Sequence, residues 1–386
     1  MNIDTITGPI KEMRIKEITA KTILRKHKKI DSWFVSRYGM NLYRGCTHNC
    51  VYCDGRAENY RVEGEFGTDV AVKVNALEIL SRELDPARKR IPFKPGYVMV
   101  GGGVGDGYQP VEEKFQLTRQ ALECLFRLNW PIHILTKSTL VERDLDIIKQ
   151  INERKKAIVS FSFSSVDDDI SAIFEPGVPS PSLRLKTMAR IKEEGIACGM
   201  FLMPVIPFIT DSPDKIRETV KKAGETGVDF IIFSGMTLKE GRQMDYFYSV
   251  LEKHYPDLMP QYVHIYRKNK WGGAIGEYYA SVESTFLSLA KRYKIPIRIP
   301  LHLFKDLMDQ NDLLVVMLEH MDYALRLRGS RSPYGYAARS ISQVKEPLST
   351  MMGKLRTLKG VGRVTEGIVR EIVRTGTSSY YERLMG

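Results

Sequence analysis

Between residues 70 and about 305 the chain alternates two kinds of hydrophobic pattern. Short, nearly continuous apolar runs at 96–100, 131–135, 157–163, 196–204, 228–233 and 295–299 predict strands. Between them, apolar residues recur every three to four positions over 110–128, 140–153, 182–195, 212–227 and 282–293, which predicts amphipathic helices. Strands alternating with helices of this length favour one parallel sheet with right-handed crossovers. A further strand ahead of residue 46 gives about six β/α units, so the fold class is α/β: a partial (β/α)6 TIM-type barrel, with its site at the carboxyl ends of the strands. One strand is unusual. In Ser160-Phe161-Ser162-Phe163-Ser164 the alternation puts the serines on one face, lining the barrel, where each hydroxyl needs a partner. After residue 305 the pattern changes to helices joined by basic loops, a small all-α C-terminal region, with Gly329-Ser330-Arg331-Ser332-Pro333 reading as a linker.

The chain has 386 residues, 43% of them apolar, enough for one large domain with appendages. The division expected is a basic N-terminal segment at 1–36, a barrel at 37–305 and a helical region at 306–386. The longest notable apolar run, 313–318, falls far short of the roughly 18 residues of a membrane span. The N-terminus has no apolar signal core, and five cysteines with three clustered do not make a disulfide framework. These features favour a cytoplasmic protein with no membrane partner. The net charge of +12 is uneven. Residues 326–386 hold twelve Lys/Arg against four Asp/Glu, and residues 1–37 hold nine against four. A near-neutral middle with two basic ends suits either a polyanionic partner such as nucleic acid or a solubilising surface bias.

The candidate chemistry begins with Tyr43-Arg44-Gly45-Cys46-Thr47-His48-Asn49-Cys50-Val51-Tyr52-Cys53. Three thiolates on one tight loop can hold three irons of a cubane cluster and leave the fourth iron open. A structural zinc site is the alternative, but it needs four ligands, and His48 inside the loop is a cramped fourth. Some fifty residues on, Val100-Gly101-Gly102-Gly103-Val104-Gly105-Asp106 closes a strand and opens a helix. Glycines there let backbone approach a ligand, and Asp106 can accept hydrogen bonds from a bound ammonium. The run lacks the Lys-Ser/Thr of a phosphate loop. Lys137 follows a buried strand, so its ammonium should project from the barrel mouth. Ser162, the middle serine, is the choice for a carboxylate or ribose contact. Arg184 reads as one half of a structural ion pair with Glu175.

The cysteine spacing with the glycine run behind it resembles the radical S-adenosylmethionine superfamily, in which the cofactor's amino and carboxylate groups chelate the open iron. Further phrases resemble its spore photoproduct lyase-like branch, often labelled DNA repair photolyases. These are Asp106-Gly107-Tyr108-Gln109-Pro110-Val111-Glu112, Thr118-Arg119, Thr136-Lys137-Ser138, Arg143-Asp144-Leu145-Asp146, Glu175-Pro176 and Met203-Pro204-Val205-Ile206-Pro207, spread over about residues 35–300. The resemblance implies a 4Fe–4S cluster on Cys46, Cys50 and Cys53, with S-adenosylmethionine bound by the neighbourhood of Tyr52, by Gly101, Gly102, Gly103 and Asp106, and by Lys137, Ser162 and Arg184. It also implies reductive cleavage to a 5′-deoxyadenosyl radical and an electron donor such as flavodoxin or ferredoxin. Two positions depart from the branch. Gly103 stands where true lyases carry a hydrogen-donating cysteine, and Asp54 stands where many relatives carry tyrosine. Cys198 is a weak substitute donor, set against the reading of a buried apolar cysteine; Cys124 reads as core.

Near the C-terminus, Leu355-x-x-Leu358-Lys359-Gly360-Val361-Gly362-Arg363-x-Thr365, followed by Ile368 and Ile372, resembles the helix-hairpin-helix motif of DNA repair and recombination proteins, at about 348–376. Two glycines permit a turn whose N–H groups face outward at a helix start, an anion site flanked by Lys359 and Arg363. The leading reading is a radical enzyme acting on nucleic acid, with DNA gripped by its phosphates as the expected partner and lesion repair and base modification both open. The alternatives are a radical enzyme acting on a protein or small molecule, and a non-catalytic iron–sulfur protein that binds nucleic acid. Tyr246, Tyr248, Tyr262, Tyr266, Trp271, Tyr278 and Tyr279 form an aromatic group that either stacks on bases or belongs to the core.

Overall fold

The computed structural model describes residues 13–60, 62–88, 93–101, 104–267, 271–276 and 278–385. Its strands are β1 (Arg14–Ile18), β2 (Leu24–Asp31), β3 (Ser36–Met40), β4 (Tyr43–Arg44), β5 (Asp69–Lys73), β6 (Tyr97–Val100), β7 (Ile132–Thr136), β8 (Ala157–Phe163), β9 (Ala197–Val205) and β10 (Phe230–Gly235). Seven form one sheet in the order β10-β9-β8-β7-β6-β3-β2. β3 and β6 to β10 run parallel, and β2 pairs antiparallel with β3 at the edge. β1, β5 and β4 make a small second sheet that carries the chain into and out of the cysteine loop.

The parallel strands are apolar along their length because helices cover the outer face and side chains fill the barrel. All four residues of β6 are buried, as are six of the seven in β8. The covering helices start where the sequence offers caps. Ser180 and Ser212 accept from the N–H of Leu183 and Lys215, each with proline in the first turn. The floor of the barrel is plugged by the β2–β3 turn. Phe34 stacks on Phe201 with centroids 5.1 Å apart, and His133 Nδ1 faces the Phe34 carbonyl at 2.8 Å. Just outside, the Arg298 guanidinium lies 4.7 Å from the Trp33 ring and 4.6 Å from Tyr323, with Nη2 donating to Ser32 O at 2.9 Å.

Three predicted elements differ. The helix expected over 110–128 is two, Val111–Phe115 and Leu117–Arg127, broken at Gln116 in the left-handed region (φ 49°). The buried Glu112 carboxylate accepts from the N–H of Thr118 and Arg119, so it caps the second helix and displaces the continuous path. The helix expected over 140–153 begins as the 3-10 turn Thr139–Asp144 and becomes α only at Leu145–Arg154. Residues 295–299 bury Ile295, Ile297 and Ile299 as a strand would, yet they join no ladder. Pro296 has no N–H to give, and the segment's backbone hydrogen bond to β10 is Ile231 N–H to Pro296 O, 2.9 Å.

The C-terminal helices are built on the barrel. Helix Gln310–Leu327 is buried around most of its circumference, and Tyr323 exchanges two hydrogen bonds with the backbone of Phe233 in β10. Glu319 on the same helix pairs with Lys29 of β2. The hairpin expected at 348–376 has the 3-10 segment Leu348–Thr357, kinked at Met351, where a first α-helix was expected; Arg363–Thr375 is the α-helix that follows the turn. Leu355, Val361, Ile368 and Ile372 are buried between them. Among the described residues no helix is long and apolar enough to cross a membrane.

Candidate active site

The cysteine loop leaves β4 at the carboxyl end of the sheet and is fixed on every side by side chains from neighbouring strand ends. Gln109 clamps its first turn, donating to Gly45 O at 3.1 Å and accepting from Thr47 N at 3.0 Å, as a strand partner would. His48 is buried and bridges the loop to two elements, with Nδ1 2.9 Å from Gly177 O and Nε2 3.1 Å from Asp106. Arg56 closes the far side, donating to Cys50 O at 3.1 Å and to Asn49 O at 3.2 Å while its guanidinium lies 3.6 Å from the Tyr246 ring centroid. Cys46 and Cys50 are buried and Cys53 is half-buried, with its sulfur accepting from Gly55 N. Burial raises all three thiol pKa values, that of Cys50 to about 12.

Next to this loop, Lys137 and Ser162 meet. Lys137 Nζ donates to Ser162 Oγ at 3.1 Å and to Glu175 at 2.9 Å. Glu175 is buried and is the hub of the group: it accepts from Tyr52, from Arg184 at 2.5 Å, from Ser171 at 3.0 Å and from Ser164 at 3.3 Å. Burial would raise its pKa, but the charges of Arg184 and then Lys137 overcome that and hold it below the usual carboxylate range. Arg184 is fully buried over the Phe163 ring at 4.5 Å. Each barrel-facing serine of β8 has a partner, Ser160 at its lower end with His133 Nε2 at 2.8 Å.

Asp106 is already occupied by protein donors. It accepts from Tyr108 N–H and Lys137 N–H, each at 2.8 Å, from the Thr136 hydroxyl, and lies against His48. Against the burial that would raise its pKa, the His48 ring and these N–H groups hold it low. Its side chain thus ties β7 to the cysteine loop. Gly101 sits at φ +72°, and a Cβ there would stand 2.6 Å from Leu135 O, so the close approach of β6 and β7 needs glycine. Gly102 and Gly103 lie outside the described residues.

The radical SAM superfamily model matches residues 40–221. An uncharacterized protein of Mycobacterium tuberculosis is 30% identical over 239 residues, 61% of this chain and 68% of its own. An uncharacterized protein of Methanocaldococcus jannaschii is 30% identical over 226 residues, 58% of this chain and 78% of its own. The chain belongs to the radical SAM superfamily. Its fold is similar to spore photoproduct lyase complexed with dinucleoside spore photoproduct (TM-score 0.54, 19% identity, 72% of this chain and 79% of that one). A variant of that lyase with bound AdoMet and the same dinucleoside gives a TM-score of 0.53 at 20% identity over the same shares. The family's cofactors are a 4Fe–4S cluster and S-adenosylmethionine.

The residues present fit this pair. Three thiols share one braced loop, and His48 beside them is taken up by Gly177 O and Asp106 rather than free as a fourth zinc ligand. A cubane needs only one sulfur on each of three irons. Cys198 lies elsewhere. It is the second residue of β9, buried at the floor end, with its N–H on Asp229 and its thiol pKa raised by burial, so it is remote from the mouth and packs as core. Cys124 is likewise buried. Lys359, Gly360, Val361, Gly362 and Arg363 form a turn packed on Ser340 and Ala337 that leads into the helix Arg363–Thr375, whose first N–H groups have no side-chain cap. Of the aromatic group, Tyr262 and Tyr266 are interior, their hydroxyls bound to Pro207 O and Met236 O, and Tyr278 and Tyr279 hydrogen-bond Asp211 and Val205 O. The bracing roles of Gln109 and His48 and the hub role of Glu175 were not legible in the sequence. Each stood within a quoted phrase, but a side chain's partner across the fold has no local sequence signal.

Proposed function

We propose that this radical SAM enzyme acts on nucleic acid, holding S-adenosylmethionine beside the three-thiol loop and its polymeric substrate through the C-terminal hairpin. The observation that carries the cofactor part is the pairing of Lys137 with Ser162 next to that loop. Lys137 and Arg184 together bring two positive charges and Glu175 removes one, so the buried group is left with one uncompensated cation. A ligand carboxylate supplies the missing anion, with Lys137 and Ser162 as its donors. Tyr52 is held against this group by Glu175. Cys46, Cys50 and Cys53 would hold the cluster. When bound, cluster and S-adenosylmethionine supply one-electron cleavage that ends in 5′-deoxyadenosine. The side chains orient the cofactor.

The substrate class rests on the basic two-glycine turn, its uncapped helix start, and the positive charge of both chain ends. The dinucleoside ligand of the structurally similar lyase points the same way. The test is anaerobic reconstitution with iron and sulfide, reduction with dithionite, and chromatography of 5′-deoxyadenosine with and without duplex oligonucleotides. Release that rises with duplex, together with salt-sensitive duplex binding, supports the proposal. Release without any affinity for duplex rejects nucleic acid, and no release from protein carrying a full cluster rejects the enzyme.

A further inference from the structure

The two basic ends of the sequence meet on one side of the molecule. Lys29 of β2 pairs with Glu319, 290 positions later. The helix Tyr334–Ile341 packs beside Glu319's helix, with Gly335 N–H on Asp322. The hairpin turn rests on that same helix. Ser340 donates to Lys359 O at 2.8 Å, and a Cβ on Gly360 would stand 2.6 Å from Ala337 N. A cavity lined by His27, Lys28, Lys29 and Gly335 joins β2 to the C-terminal helices directly. At its other end β2 reaches the mouth, because Leu24 pairs with Met40, the last residue of β3, a few residues before Cys46.

Arg25, Lys26 and Lys28 are exposed along β2, as are Arg339, Lys359 and Arg363 on the C-terminal side. None of these six makes a salt bridge among the described residues, although neighbouring cations do: Lys29 with Glu319, Arg326 with Asp322, and Arg356 and Arg370 with Glu366. These six exposed cations lie along β2, on the helix Tyr334–Ile341 and at the turn it supports, and their charge reaches both ends of that run. Arg339 acts on Lys29, and Arg25 acts on Tyr60 beside the cysteine loop. Eight strand residues at about 3.3 Å each span roughly 26 Å, about the rise of eight base pairs.

We propose that Arg25, Lys26 and Lys28 of β2 and the turn bearing Lys359 and Arg363 grip one continuous nucleic-acid backbone, which β2 leads from the hairpin to the barrel mouth. This rests on the proposed nucleic-acid substrate and adds where the strand runs. Edge strands also carry lysines to block pairing with other chains, but that role gives no dependence of ligand binding on salt.

The experiment is fluorescence anisotropy of a labelled 20-base-pair duplex with the full chain across a salt series. Each phosphate contact contributes about 0.9 to the slope of log K against log salt. The triple variant Arg25→Gln, Lys26→Gln, Lys28→Gln is expected to flatten the slope by about 2.7, and Lys359→Gln with Arg363→Gln by about 1.8. An unchanged slope in the triple variant, with the hairpin variant weakened, overturns the β2 path and leaves the substrate reading standing. No duplex binding by the unaltered chain overturns both. If the triple variant is not folded by circular dichroism, single Lys26→Gln and Lys28→Gln variants decide the matter at about 0.9 each.

Discussion

Without the carboxylate of Glu175, Arg184 would be left fully buried with no counter-ion, and Lys137 would lose the partner that holds it beside Ser162. Glu175→Gln keeps the shape but not the charge, so it is expected to cost roughly 3–5 kcal/mol in urea unfolding. A loss below about 1 kcal/mol would show that Arg184 is satisfied without it. His133 gives a second test away from the cofactor site. It is buried between Phe34 O and Ser160, and burial lowers its pKa to about 4. The unfolded chain, with a histidine pKa of about 6.5, takes up the proton first. The neutral ring's contribution is therefore complete above about pH 6.5 and is lost as pH falls towards 4, on the order of 3 kcal/mol in all. His320, also buried with its pKa lowered, works in the same direction. Unfolding midpoints should fall between pH 7 and 5, and His133→Gln should flatten that fall; an unaltered pH slope in the variant would assign the effect elsewhere. Residue types were legible at this scale where chemistry restricts them, as with three clustered cysteines or a lysine at a strand end. Glu175 was visible only as one half of a possible pair, because its five donors come from four separate stretches of chain.

The elements that periodicity announced are those whose burial comes from a continuous face. β8 runs over 157–163 as its pattern indicates, and the helices opened by Ser-Pro lie within two residues of the predicted bounds. Misreadings occur where one side chain or one missing donor outweighs the face: Glu112 breaking a helix at Gln116, Pro296 withholding a ladder bond. The hairpin obeys the same logic. Its apolar seam was legible, but Met351 kinks the first arm into 3-10 turns. What fixes the turn is Gly360 at φ +87°, pressed on Ala337 and Tyr336. Gly360→Ala strains both the dihedral and the contact, roughly 1–3 kcal/mol, and that strain should displace the turn. Duplex affinity is expected to drop at least tenfold while 5′-deoxyadenosine release without duplex stays the same. Unchanged affinity would mean that the turn does not touch nucleic acid.

At the scale of the molecule, the segment that follows β10, residues 237–243, hangs on the cysteine loop. Asp54, next to Cys53, accepts from Thr237 at 2.8 Å and Gln243 at 3.2 Å and pairs with Lys239 at 2.6 Å. Gln243 also donates to Tyr52 O at 2.9 Å, and Glu58 accepts from Arg242 N–H at 2.9 Å. In sequence Asp54 was only a departure from the tyrosine of many relatives; in the fold it is the post to which residues 237–243 are tied. Anything that orders the loop should therefore order the segment, and stripping the metal should loosen both while β6 to β9, buried on both faces, stay closed. Asp54→Ala removes three polar contacts, about 1–2 kcal/mol, enough to raise the open population roughly five- to thirty-fold. Limited proteolysis followed by mass spectrometry should then show faster cutting within 236–243 in two samples, the cluster-bearing Asp54→Ala protein and the chelator-treated unaltered one. The cutting sites should coincide, because the same tie is broken from opposite ends. Equal cutting rates in chelated and cluster-bearing protein would show that the segment is ordered independently of the loop.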